Sequence, residues 1–379
     1  MALTNLQIHD VPSTTAPSLV PESLSEGPVL LSASLLKCES VDWLWNGWLA
    51  KRKLHLLAGS PGNGKTTIAL NIAATISNGG TWPDGAKAPK GRVVVWSGED
   101  GLEDTLGPRL RAAGADLENV SFITSFRENG EIRAFDPSVD MSSLQAKLEQ
   151  IPNLKLLILD PIVSAVQGDS HKNAEVRKGL QPLVDLAVQN DCAVLGITHF
   201  SKGTGGRNPV ERLTGSLAFG AVARIVWVAA KGETTEDSED RVFCRAKSNI
   251  GPDSGGFKYQ LKHARIAGIE SLEASVIAWG EPIQGSARDL LATTETDFEE
   301  GSALSEAKGF LSGLLGDGPL PVKTVKREAD EAGHAWATIR RAATILRVQS
   351  EKARGSMTGR WEWCLSRTCS SLSEDAQPF

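Results

Sequence analysis

The chain has little that would hold it in a membrane or staple it together. No stretch reaches the roughly 18 consecutive apolar residues of a membrane helix. The N-terminus also lacks the basic and apolar runs of a secretory signal, so a cytoplasmic location without membrane attachment is expected. Cysteine is sparse. Cys38, Cys192, Cys244, Cys364 and Cys369 are odd in number, scattered and without a C-x-x-C pair, which argues for reduced thiols and against a metal site or disulfide framework. Positive charge is also short, at a formal net −6 over 379 residues. The deficit is uneven: residues 303–367 hold 11 Lys and Arg against 7 Asp and Glu, and acid gathers at 233–240 and 289–300. A basic module therefore follows an acidic body, which reopens nucleic acid as a partner for one part of the chain.

Against these absences stands Gly59-Ser-Pro-Gly-Asn-Gly-Lys-Thr66, which satisfies G-x-x-x-x-G-K-[ST] at every fixed position. The apolar run 53–58 precedes it as a strand. Residues 66–77 follow as a helix with Ile68, Ile72 and Ile76 on one face. The spacing predicts a phosphate-binding loop formed by Gly59, Ser60, Pro61, Gly62, Asn63, Gly64, Lys65, Thr66 and Thr67, with the positive end of the helix favouring anionic oxygens. Lys65 is expected to reach the β- and γ-phosphates, and Thr66 to hold Mg²⁺ through its hydroxyl. Asp160, at the end of the apolar strand 154–160, is the expected second Mg²⁺ residue. Pro161 follows it where other P-loop ATPases often carry a water-activating carboxylate, so that role falls to Glu99 at the end of the strand-like run 93–97, with Asp100 as the fallback. The apolar run 192–197 delivers Thr198 and His199 to the same carboxyl rim, where ligand chemistry in open α/β sheets gathers. A glycine-rich loop with Lys202, Arg207 and Arg212 follows. No N-K-x-D motif is present to read guanine.

Along the chain, residues 1–34 are rich in Ser, Pro and Thr and are expected to be a disordered leader. Between 35 and 284 apolar strand patterns alternate with helical ones, the signature of an α/β fold with a mostly parallel central sheet. After Ala230, runs at 241–247, 257–261 and 275–279 predict antiparallel strands at one edge. Residues 285–302 are expected to be an acidic linker and 368–379 a flexible tail. Residues 303–367 give three short helical patterns and a closing strand, the plan of a winged helix. In its third helix Trp336, Ile339, Ala343 and Leu346 share one face and leave Arg340, Arg341 and Arg347 for DNA, with a wing tip at 355–359. Trp336, Trp361 and Trp363 are read as core residues, as are Trp43, Trp45 and Trp48 ahead of the loop.

The P-loop, Gly98-Glu-Asp100, Leu159-Asp-Pro161, Thr198-His-Phe-Ser-Lys202, Gly215-Ser216 with Arg224, and Ala246-Lys-Ser-Asn-Ile-Gly251 together resemble the RecA-like ATPases. Within them the pattern is most similar to the RepA-type hexameric replicative helicases of plasmids and phages, over about residues 42–251. The resemblance implies ATP and Mg²⁺ as ligands, Glu99 as water-orienting base, Asp160 on the metal and His199 as γ-phosphate sensor. It implies a homo-oligomeric ring in which Arg224 acts on the neighbour's nucleotide. Lys247 matches the lysine of a Lys-x-Arg pair whose second member here is Asn249. Single-stranded DNA would lie against Lys202, Arg207 and Arg212. Two rivals remain: an ATP-switched DNA-binding regulator that does not unwind, and a small-molecule kinase, for which no acceptor lid is recognisable.

Overall fold

The computed structural model describes residues 28, 30–201, 204, 207–213, 216–235, 238–266, 269–291, 307–316, 318–352 and 361–365. The chain divides into two compact units, Met1–Ser40 and Val41–Phe379. The described part of the first holds a single 3₁₀ turn, Ala33–Leu35.

The second unit is built on nine strands. These are β3 (Leu54–Ala58), β4 (Arg92–Ser97), β5 (Val120–Phe122), β8 (Leu154–Asp160), β9 (Ala193–Ile197), β10 (Ile225–Thr235), β11 (Ser238–Ser248), β12 (Gly256–Ile266) and β13 (Ile269–Ile283). Two small hairpins, β1 (Trp43–Trp45) with β2 (Leu49–Ala50) and β6 (Phe126–Glu128) with β7 (Glu131–Arg133), stand apart from the sheet. Its order is β13-β12-β11-β10-β3-β9-β8-β4-β5. From β10 to β5 every pairing is parallel, and β10 to β13 form an antiparallel extension at one edge. The α/β fold with a mostly parallel central sheet is the one the sequence predicts.

Every residue of β3 and β9 is buried, which is why these strands read as continuous apolar runs and not as alternating ones. Alternate side chains supply the two faces. Leu56, Leu157, Leu159 and Val194 join the core under α4 (Asn173–Gln189), which buries Val176, Leu180, Leu183 and Leu186. Leu57, Leu156, Ile158 and Leu195 join the core under α1 (Lys65–Asn78), with Ile68, Ile72 and Ile76. Each fully buried side chain of this size contributes about 1.5–3 kcal/mol, so the sheet is gripped from both sides along its length. Trp45 stacks at 4.9 Å on both Trp48 and Trp82 and closes the second core, the role expected of the first tryptophans. Among the described residues no helix is long and apolar enough to cross a membrane.

Residues 307–314 are helical. With the helices Val322–Glu331 and Trp336–Ile345 they enclose a separate core of Leu311, Leu315, Val325, Ile339 and Ala343. Three strands, Leu320–Pro321, Gln349–Lys352 and Trp361–Cys364, form a small sheet with the last in the centre. The expected wing tip at 355–359 lies outside the described residues. Two expectations need correction. Trp361 is 53% exposed rather than a core residue. Cys364 is disulfide-bonded rather than a reduced thiol, while Cys38, Cys192 and Cys244 are free.

Candidate active site

The P-loop spans the turn from β3 into α1, and its glycines are demanded by geometry. Gly62 and Gly64 have φ of 81° and 71°, in the region that favours glycine. Gly59 has φ 151°, and a Cβ there would lie 2.1 Å from the Ala229 carbonyl oxygen of β10. The loop is thereby pressed onto the sheet extension. Asn63, almost fully buried, donates from Nδ2 to the same Ala229 oxygen at 3.0 Å, and the Tyr259 hydroxyl on β12 donates to the Asn63 carbonyl at 2.6 Å. Further along, Trp279 on β13 donates to the Asn71 side chain of α1 at 2.8 Å.

Inside this frame the charged residues converge. Lys65 is 6% exposed, and its ammonium closes across the loop onto the Ser60 carbonyl at 3.1 Å. Burial pulls it down from the ordinary 10.5 to about 8, against the attraction of Asp160 and Glu99. Thr66 donates its hydroxyl to Asp160 Oδ2 at 2.6 Å. Burial pushes Asp160 up from 3.8 to about 6, opposed by the Thr66 hydrogen bond and reinforced by the charges of Glu99 and Asp100. A hydroxyl and a buried carboxylate side by side are hard oxygen donors, and they fit a small divalent cation such as Mg²⁺.

Register explains why these groups meet. Ser97 at the end of β4 pairs with Asp160 at the end of β8, and the Gly98 amide donates to the Asp160 carbonyl at 2.8 Å. The next residue, Glu99, thus reaches the same rim, and its Oε1 lies 3.9 Å from His199 Nε2 just past β9. Burial holds His199 below its usual value and Lys65 adds to this, while Glu99 opposes it. Asp100 is turned aside, paired with Arg109 at 3.0 Å on helix α2 (Gly107–Ala112). Lys65, Thr66, Glu99, Asp160 and His199, drawn from four segments of sequence, form one cluster.

The remaining candidates lie elsewhere. Arg224 precedes β10, and its amide donates to the Leu54 carbonyl at the start of β3. It is therefore at the amino rim, the length of the β3 strand, about 15 Å, from the P-loop. Lys247, opposite Val226, is at that rim too, and its ammonium donates to the Gly220 and Ala223 carbonyls at 2.6 and 2.9 Å, capping helix α5 (Leu217–Val222). Arg212 is buried with its guanidinium 4.3 Å over the Phe200 ring, so it is not on offer at the surface. Arg207 is exposed; Lys202 lies outside the described residues. Arg340, Arg341 and Arg347 are exposed on or just beyond the helix Trp336–Ile345. The residues of β10 and β12 that clamp the loop were invisible in the sequence, because contacts spanning 166 and 196 residues leave no local pattern.

A family model described as an AAA domain matches residues 21–205. The DNA repair protein RadA of Helicobacter pylori (strain J99) is 24% identical over 250 residues, 65% of this chain and 48% of that protein. The DNA repair protein RadA of Streptococcus pneumoniae (strain R6) is 24% identical over 198 residues, 50% of this chain and 40% of that protein. These matches support a RecA-like P-loop ATPase. The chain spans about half the length of the curated relatives it matches.

Proposed function

We propose that the chain is an ATPase acting on DNA, working as a homo-oligomer in the manner of the RepA-type replicative helicases. The observation that carries the first part is the convergence of Lys65, Thr66, Asp160 and Glu99 on one rim, with the Thr66 hydroxyl already on Asp160. In this reading the loop amides and Lys65 bind the triphosphate, and Thr66 and Asp160 hold Mg²⁺. The metal, when bound, neutralises charge developing on the phosphoryl oxygens. Glu99 accepts the proton of the attacking water. His199, within reach of Glu99, signals the γ-phosphate to the loop that follows it. Arg224, at the amino rim a strand length from its own P-loop, is proposed to act on a neighbour's nucleotide. DNA is proposed to meet Arg207 and Lys202, and the exposed Arg340, Arg341 and Arg347 of a winged-helix-like module. DNA action also draws on the named function of the RadA relatives.

The test is steady-state ATP hydrolysis across protein concentration, with and without single-stranded DNA, beside Lys65→Ala. Turnover per subunit that rises with concentration and again with DNA is expected. Slow turnover indifferent to both would favour an ATP-switched DNA-binding regulator, and a strand-separation assay then distinguishes the two.

A further inference from the structure

The P-loop is held from outside by a residue that the nucleotide chemistry itself does not require. Tyr259, 1% exposed, is the only tyrosine in the chain. Its hydroxyl donates at 2.6 Å to the carbonyl of Asn63, while the Asn63 side chain donates to Ala229. A trans peptide is planar and carries its C=O and N–H on opposite sides. With the Asn63 oxygen tied to Tyr259, the Gly64 N–H is directed away from β12. Two residues on, Leu261 presents the same face of the strand, and a Cβ on Gly64 would come within 2.6 Å of its Cδ2. The Asn63–Gly64 peptide is thus fixed in rotation by a hydrogen bond and backed by an apolar wall. Trp279, the cross-strand partner of Tyr259, carries the same grip onto α1 through Asn71.

We infer that Tyr259 is a positioning residue for nucleotide binding: its hydroxyl sets the Asn63–Gly64 peptide so that the Gly64 N–H is presented to phosphate oxygens. The antiparallel extension, which contributes no residue to the cluster around Lys65, then acts on the site through this bond. The inference rests on the P-loop being a nucleotide site. A flexible loop would have to find this peptide orientation on binding; the tyrosine removes that cost beforehand.

Two measurements on the whole 379-residue chain test it. Tyr259→Phe keeps the ring and removes only the hydroxyl. It is expected to raise the dissociation constant for ATP about tenfold, the worth of one such bond, and to raise KM likewise. Turnover at saturation is expected to stay within about twofold, because the amide contact is the same in ground and transition states. Incorporated 3-fluorotyrosine gives a single ¹⁹F resonance, which is expected to shift when ATP or ADP is added to the otherwise unaltered protein. A variant with lower thermal stability but wild-type ATP affinity would overturn the inference, as would a resonance that stays fixed at saturating ATP. The labelled protein answers even where the variant fails to fold. Wild-type protein that binds no ATP would remove the nucleotide reading itself, and the inference with it.

Discussion

His55 shows how one buried side chain ties the parallel core to pH. It lies on β3 with no exposure. Its Nε2 accepts from the Ala50 amide at 3.0 Å, and burial drives it down from 6.5 to about 4. The native state therefore binds fewer protons than the unfolded one. The contribution is complete above pH 6.5 and is lost as pH falls from there toward 4. At pH 5 this group alone is expected to lower stability by about 2 kcal/mol relative to pH 7.5, and His55→Gln should abolish that difference in urea unfolding at the two pH values. Asp160 is the second residue of consequence. Asp160→Asn removes the anionic oxygen that receives the Thr66 hydroxyl. Turnover is expected to fall by about two orders of magnitude, with the Mg²⁺ concentration for half-maximal rate rising, as read from metal titrations of the steady-state rate.

At the scale of elements, the contact between the P-loop and β10 leaves no space for a side chain at position 59. Gly59→Ala forces its methyl onto the Ala229 oxygen, which is backbone and cannot give way. The loop must lift, and ATP affinity is expected to fall more than about tenfold while thermal unfolding still reports a folded sheet. A calorimetric titration beside a melting curve checks both. The parallel strands β3, β4 and β8 were legible because each is a short apolar run that ends at a glycine or carboxylate, and β9 because its apolar run stops at Thr198-His199. Strand β5, the β6–β7 hairpin and helix α3 (Met141–Leu148) were not. The hairpin's strands are three residues long and α3 has eight, too short for a periodic pattern to emerge from the sequence around them.

For the whole molecule, the decisive geometry is that Arg224 and the P-loop occupy opposite rims of one sheet. If Arg224 completes a neighbour's site, Arg224→Ala should bind ATP normally and lose about 10³-fold in turnover, the scale of a missing arginine finger. Lys65→Ala should fail at binding. Mixing the two inactive proteins should recover part of the activity, because some interfaces then join an intact P-loop to an intact arginine. Recovery that scales with the product of the two concentrations would establish the shared site, and a mixture as inert as its components would exclude it.

The sequence alone determined the phosphate loop, the strand ending in Asp160, the placing of Glu99 and His199 at strand ends, and the antiparallel strands after Ala230. Each is a local signal, written in glycines, apolar period and the residue that ends a run. Only the tertiary structure decided that Arg212 is buried over the Phe200 ring, that Lys247 caps α5, that Trp361 is exposed, and that Tyr259 holds the P-loop. These outcomes depend on which segments pack together across tens to hundreds of residues. A side chain's type says what it can bond to, but only packing determines which partner arrives first and whether water is left at the surface.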